Sequence, residues 1–211
     1  MRKTTTRKTF SYFAVVFIFS LVSNVCLGQR KEFTPSWEIG VSTGQSFIGY
    51  FDGFGESGGY STGLTIAPEV SYSYSRFFTA SFSMLFTTAH EHDRNASYDR
   101  VSSVPSSKGA VSFTHHQTTF APVIHFTPVN SERHNAYVGF GPALTFGQAL
   151  KSESVSEVST TIANDFSQIG LYGTLGYKFR IFTSWNIGGR YVYNKNEETS
   201  EHIMFTLGYT L

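Results

Sequence analysis

The sequence predicts an all-β chain: an eight-stranded antiparallel up-and-down transmembrane β-barrel behind an export signal. Three observations carry this. First, aromatic residues make up 17 % and charged residues 15 % of the 211 residues, with 21 Phe, 12 Tyr and 19 Gly. Charge at that level lies below the roughly 25 % of an average soluble domain, yet the mean hydropathy is only −0.13, which excludes a helical membrane protein. Second, large apolar side chains alternate with small or polar ones through segment after segment, and no comparable stretch has a helical period. Third, the segments between these stretches alternate in length, long after odd strands and short after even ones. The formal net charge of +1 also excludes a strongly basic nucleic-acid binder.

Residues 1–28 read as a secretory signal peptide. Arg2, Lys3, Arg7 and Lys8 supply the basic start, and Phe13 to Val22 is an apolar run too short to span a bilayer as a helix. Cys26-Leu27-Gly28 places small residues at −3 and −1, so cleavage falls before Gln29. Ser23-Asn24-Val25 lacks the Leu and small-residue pattern of a lipobox, which argues against lipidation of Cys26. Removing residues 1–28 takes four basic residues and the single Cys, leaving 183 residues with a net charge of −3. The mature domain, 29–211, therefore has no disulfide and no Cys-ligated metal.

Within 29–211 the alternation marks strands at about 37–47, 62–74, 78–90, 111–126, 136–148, 166–180, 185–193 and 202–211. Trp37, Ile39 and Val41 alternate with Glu38, Gly40 and Ser42 in the first. Phe78, Phe82 and Phe86 alternate with Thr79, Ser83 and Thr87 in the third, and Ile203, Phe205, Leu207 and Tyr209 with His202, Met204, Thr206 and Gly208 in the last. The fourth is the least regular: Phe120, Ile124 and Phe126 hold one parity and Val111 and Phe113 the other. A bulge between them, or an upper half beyond the apolar slab, accounts for the slip. Each strand is long enough for a tilted crossing of about 9–11 residues. The expected long connections are 48–61, 91–110, 149–165 and 194–201; the short ones are 75–77, 127–135 and 181–184.

Side-chain size decides which face points inward. An eight-stranded barrel has an interior only just wide enough for side chains to fill. The apolar parity is made of Trp, Phe, Tyr, Leu and Ile and cannot fit there; the Gly, Ser, Ala and Thr parity can. Outward-facing Phe and Leu then need lipid as their solvent, and a closed barrel satisfies the backbone inside it. A soluble lipocalin-like barrel or a two-sheet sandwich would face the other way and leave an apolar exterior in water. Trp37, Tyr72, Tyr74, Trp185, Tyr191 and Tyr193 lie near strand ends and form the expected aromatic girdle.

With its export signal ending Gly28-Gln29, its Gly-aromatic strands and its C-terminal strand His202–Leu211, the mature chain resembles the small eight-stranded outer-membrane β-barrel proteins of the outer-membrane protein X and outer-membrane protein A barrel type. It looks closest to the outer-membrane β-barrel domain family of Bacteroidetes. The resemblance implies integral location in a bacterial outer membrane. Its partners would be outer-membrane lipid and lipopolysaccharide, and the barrel-assembly machinery during biogenesis. Family members usually end on an aromatic residue; here the chain ends on Leu211.

Few residues suggest chemistry. Glu38, Glu69, Lys178 and Arg190 fall on the small parity, with His125, and with Arg180 at the rim. Charges inside a narrow bore need partners, so a lumenal ion-pair network of Glu38 and Glu69 with Lys178 and Arg190 is expected. A plug is favoured over a gated pore or proton path because the bore is narrow. His90-Glu91-His92-Asp93 has strand spacing for two imidazoles on one side, but no further ligand is placed, so no metal or other cofactor is expected. His115-His116 with Ser112 and Glu91 is the nearest approach to a catalytic set, and the chain has no GxSxG elbow. No catalytic residue is assigned. Asn95-Ala96-Ser97 is a formal glycosylation triplet without meaning on a bacterial surface. The expected role is non-enzymatic: a structural or surface-interaction barrel that meets an extracellular ligand through four long loops. The alternatives are a lipid A acyltransferase or deacylase, and a narrow pore.

Overall fold

The computed structural model describes residues 33–49, 60–93, 110–155, 158–196 and 199–211. The predicted signal peptide, the triplet Asn95-Ala96-Ser97 and most of 48–61 and 91–110 lie outside them. Eight strands follow one another: β1 Ser36–Gly49, β2 Tyr60–Ser73, β3 Phe78–Asp93, β4 Ala110–Asn130, β5 His134–Val155, β6 Val158–Arg180, β7 Trp185–Lys195 and β8 Thr199–Thr210. Each pairs antiparallel with its neighbours, and β1 pairs with β8 from Glu38↔Thr210 to Gly49↔Thr199, so the sheet closes on itself. Closure leaves the barrel wall without an edge, as the hydrocarbon of a membrane requires.

The large apolar parity faces out on every strand. Ile169 is 82 % and Phe140 69 % exposed, while the alternate positions of the wall are buried or half-buried. An apolar belt of this kind is unfavourable in water by about 25 cal/mol per Å², and lipid removes that penalty.

Tight turns 74–77, 131–133 and 181–184 gather at one end, the turn end. Ser75 Oγ accepts from the amides of Phe77 (3.3 Å) and Phe78 (3.0 Å), and Ser131 Oγ accepts from the His134 amide at 2.9 Å. Short polar side chains thus replace missing ladder partners. The connection expected at 127–135 is therefore much shorter, because β4 runs on to Asn130.

No bulge lies between Phe113 and Phe120. The β3–β4 register is continuous from Phe78↔Phe126 to Asp93↔Val111. The irregularity sits between Phe126 and Val129 against β5. Pro128 occupies that step and has no N–H for the ladder. The parity slip on β4 reflects an upper half that rises beyond the apolar belt.

A second difference concerns the other end, the loop end. The segment 149–165, expected as a polar loop, is almost all strand: β5 and β6 pair as far as Val155↔Val158. Its Ser and Thr read as loop formers, but across a ladder they bond each other, as Ser152 and Thr161 do at 3.1 Å. The expected loop 194–201 contracts to 196–198. β7 stops pairing with β6 at Leu171↔Lys195, and β2 stops pairing with β3 at Thr62↔His90. Strands β3 to β6 consequently project from the loop end as a four-stranded sheet on one side of the barrel.

Candidate functional site in the barrel lumen

The lumenal side chains are arranged in layers. Nearest the turn end, β1 and β6 bring Glu38 and Lys178 together, Nζ donating to Oε1 at 2.5 Å. Asn186 on β7 donates to the other carboxylate oxygen of Glu38 and to Thr210 Oγ1, both at 3.1 Å. Arg180 lies at the rim, exposed, with Nε 3.5 Å from Asn186 Oδ1.

Deeper in, Arg190 on β7 donates through Nη1 to Glu69 Oε2 on β2 at 2.5 Å. Ser83 Oγ donates to the same oxygen at 3.1 Å. This pair is the drier one: the Arg190 and Glu69 side chains are 1 % and 9 % exposed, against 13 % and 19 % for Lys178 and Glu38. Four charges expected as one network are therefore two pairs at two depths.

His125 and Tyr137 stand between the pairs. His125 Nε2 lies 2.7 Å from Ser81 Oγ, and its ring meets Tyr137 edge-on at 5.0 Å. Lys178 Nζ sits 5.4 Å from the centre of the Tyr137 ring. A cavity of about 30 Å³ lined by Glu38, Glu69, His125, Tyr137 and Lys178 joins the two depths, enough for a water or two.

Glycines on neighbouring strands make these side chains fit. A Cβ on Gly139 would lie 2.6 Å from His125 Nδ1, one on Gly208 would lie 2.7 Å from Glu38 Oε1, and one on Gly176 would enter the Tyr137 ring. Tyr137 was missed by the sequence reading. Its signal was an aromatic on the small parity of β5, opposite Gly176.

An apolar cluster adjoins the ion pairs: Ala67, Leu85, Ala121, Val123, Ala143, Tyr172, Val192 and Met204, all buried, with Met204 opposite Arg190 and Val123 opposite Ser81 in the ladders. Beyond it the lumen turns polar and uncharged. Thr65 Oγ1 lies 2.8 Å from Thr87 Oγ1 and 2.9 Å from His202 Nδ1. Thr145 Oγ1 accepts from Asn196 Nδ2 at 2.8 Å and lies 2.9 Å from Thr119 Oγ1.

Outside, Trp37 packs on Tyr72 at 4.8 Å, and Trp185 on Tyr209 at 5.1 Å. Tyr74 stacks near Phe78 at 6.3 Å. These lie at the turn end. Tyr191 and Tyr193 face out higher on β7, opposite Ile203 and Glu201 on β8.

Among the described residues the histidines do not assemble a catalytic or metal set. His115 points into the lumen and is buried, whereas His116 points outward, 3.2 Å from Thr88 Oγ1. Opposite faces of one strand cannot serve one site. His90 faces outward, 2.8 Å from Thr114 Oγ1; the side chains of Glu91, His92 and Asp93 lie outside the described ones. Among the described residues no group of three or more His, Cys, Asp or Glu could hold a metal ion.

No family model and no curated protein matches the sequence. Solved structures similar to this chain include Ail, the attachment invasion locus protein of Yersinia pestis, in complex with the heparin analogue sucrose octasulfate. It is 18 % identical over 85 % of this chain and 100 % of that one, with a TM-score of 0.49. Neisserial surface protein A is 12 % identical over 85 % of this chain and 100 % of its own, TM-score 0.46. The outer-membrane protein OprG of Pseudomonas aeruginosa is 11 % identical over 82 % and 95 %, TM-score 0.47. The closed, all-antiparallel eight-stranded barrel is read from the strand pairing itself.

Proposed function

We propose that the chain is exported by a signal peptide at 1–28 and works as a non-enzymatic barrel in a Gram-negative outer membrane, with a plugged lumen and a surface-interaction role. In this reading the turn end is periplasmic and the loop end faces outward. The two lumenal ion pairs are structural, and the outward aromatics, Trp37, Tyr72, Tyr74 and Trp185 at one level and Tyr191 and Tyr193 at another, anchor the interfaces. Lipopolysaccharide surrounds the outer half, and the barrel-assembly machinery inserts the chain. The observation that carries the role is the projecting β3–β6 sheet. It extends past the apolar belt, where only the aqueous surface can surround it, and it is backed by a lumen filled with side chains.

The mature chain folded into micelles should shift its gel mobility on boiling and give no discrete conductance steps in planar bilayers. Ala163→Cys, in the exposed part of β6, should react with an impermeant maleimide on intact cells. Steady ion conductance would overturn the plug, and absence of labelling would overturn the surface role.

A further inference from the structure

We infer that the turn end holds a site for the headgroup phosphate of an anionic phospholipid, formed by Arg133 and Arg180; this rests on the outer-membrane reading above, in which these turns meet the periplasmic leaflet. The turns that carry the two arginines are joined, because the Arg180 amide donates to the Arg133 carbonyl at 2.8 Å. A cleft of about 30 Å³ opens beside them, and its titratable lining is Glu38, Glu132, Arg133, His134, Lys178 and Arg180. Three fixed cations thus face two carboxylates. Lys178 is taken by Glu38, and the deeper Arg190 by Glu69. Arg133 and Arg180 belong to neither pair, and both are exposed. Two guanidinium groups on adjoining turns suit the oxygens of one phosphate.

The backbone under these groups is fixed before any ligand arrives. The Ser131 amide donates to the His134 carbonyl at 2.8 Å, which closes the β4–β5 turn. Asn130 Nδ2 donates to the Arg76 carbonyl at 2.8 Å and ties that turn to the β2–β3 turn. The His134 ring is held through Nδ1, 2.5 Å from the Tyr177 hydroxyl. A ligand would have to order only the two arginine side chains.

Charge alone would serve any soluble anion. The residues beside it select a lipid. Arg180 is followed directly by Ile181 and Phe182, and Phe182 is 68 % exposed although it lies in a turn. Arg76, on the turn tied to this one, is followed by Phe77 and Phe78, also exposed. Trp185 opens β7 directly after Ile181 and Phe182 and packs on Tyr209 in the outward girdle. Such rings mark the boundary between hydrocarbon and headgroups, so the arginines stand at headgroup level with apolar side chains beside them. A basic group over an apolar one is complementary to a phosphate over acyl chains.

The test folds the mature chain into phosphatidylcholine vesicles holding about 10 % phosphatidylglycerol. The barrel is extracted in mild detergent, and the lipid it retains is measured by mass spectrometry. Phosphatidylglycerol should be enriched over its share of the bilayer. Arg133→Gln and Arg180→Gln should each lower that enrichment about fivefold, the effect of one basic group near a lipid surface, and together should abolish it, while heat-modifiability stays unchanged. Lys195→Gln, at the loop end, should have no effect. The unaltered chain gives a second reading that needs no variant: enrichment should fall as NaCl rises from about 0.05 to about 0.5 M. No enrichment on a folded barrel, enrichment unchanged in the double variant, or enrichment indifferent to salt would overturn the inference. Inorganic phosphate distinguishes the source: if it displaces the lipid at equal ionic strength, the cleft is a site for soluble anions and the lipid assignment fails. A chain that stays in the aqueous phase and shows no mobility shift on boiling would overturn the membrane reading itself; a folded barrel without enrichment overturns the lipid site alone.

Discussion

Removing the Arg190 guanidinium should destabilise the barrel far more than removing the whole Glu69–Arg190 pair. The pair is held at 2.5 Å with both side chains almost dry, and Ser83 adds one further bond to the carboxylate. Arg190→Met keeps the length of the side chain and leaves the Glu69 carboxylate in the bore with Ser83 as its remaining close donor. Uncompensated burial of that kind costs about 3–5 kcal/mol. Replacing both partners, in Glu69→Leu/Arg190→Met, removes the charge along with its counter-charge and should cost about 1–2 kcal/mol, the loss of a few bonds with packing retained. Glu69→Leu alone strands the guanidinium at a similar cost, so the coupling energy of the double-mutant cycle, both single costs less that of the double, is about 4–9 kcal/mol. The more exposed Glu38–Lys178 pair gives the internal comparison: Lys178→Met should cost only about 1–2 kcal/mol, being partly solvated. Urea unfolding in lipid vesicles, followed by the fluorescence of Trp37 and Trp185, reads all four variants. If Arg190→Met costs no more than Lys178→Met, or if the double variant is worse than the single, burial is not what makes this pair important.

Three further outcomes follow from the packing. Gly139→Val should lose about 1–3 kcal/mol in the same assay, because a Cβ there meets both His125 Nδ1 at 2.6 Å and Thr174 Cγ2 at 2.8 Å. Phe140→Lys, in the middle of the apolar belt, should cost about 2–4 kcal/mol in a bilayer and much less in a soluble detergent background, whereas Thr161→Lys on the projecting sheet should be neutral in both. Leu85→Ser combined with Tyr172→Ser should hydrate the apolar layer and introduce discrete conductance, measurable in planar bilayers; a silent double variant would show that the seal lies elsewhere.

The barrel was legible because its physics is periodic. The alternating segments counted out eight strands; one parity is too large for an eight-stranded bore, and that constraint set the direction of faces and the lumenal position of Glu38, Glu69, Lys178 and Arg190. Pairing was not legible. Parity gives the face of a residue but not its height, so Lys178 and Arg190, both on the small face, could not be assigned between the two carboxylates without the stagger of β1, β2, β6 and β7. The segment 149–165 misled for a different reason. Ser and Thr signal loops when unpaired, yet Ser152 and Thr161 bond across a ladder, and Thr160, Thr161 and Ile162 are β-branched. Tyr137 escaped notice because its fit depends on glycines from a neighbouring strand, which no single-strand pattern contains.

The order of the lumenal layers bears on where recognition can occur. The ion pairs alone would make a poor seal, since the cavity of about 30 Å³ between them has room for water and polar walls to hold it. The apolar cluster differs in kind. Leu85, Val123, Val192 and Met204 offer no hydrogen bonds, and they are buried with Ala67, Ala121, Ala143 and Tyr172. An ion entering it would shed its water for little beyond the Tyr172 hydroxyl, a penalty of several kcal/mol even after relaxation. The hydroxyl and imidazole groups beyond, such as Thr65, Thr87 and His202, bond to one another across the lumen. In the proposed plugged-barrel reading this cluster is the partition between the two polar regions, and solute passing through the barrel would have to break it. Under the proposed surface role, molecules that engage this protein would be met at its ends. Of the two ends, the turn end is closed by short, internally bonded turns, and the loop end carries the projecting β3–β6 sheet.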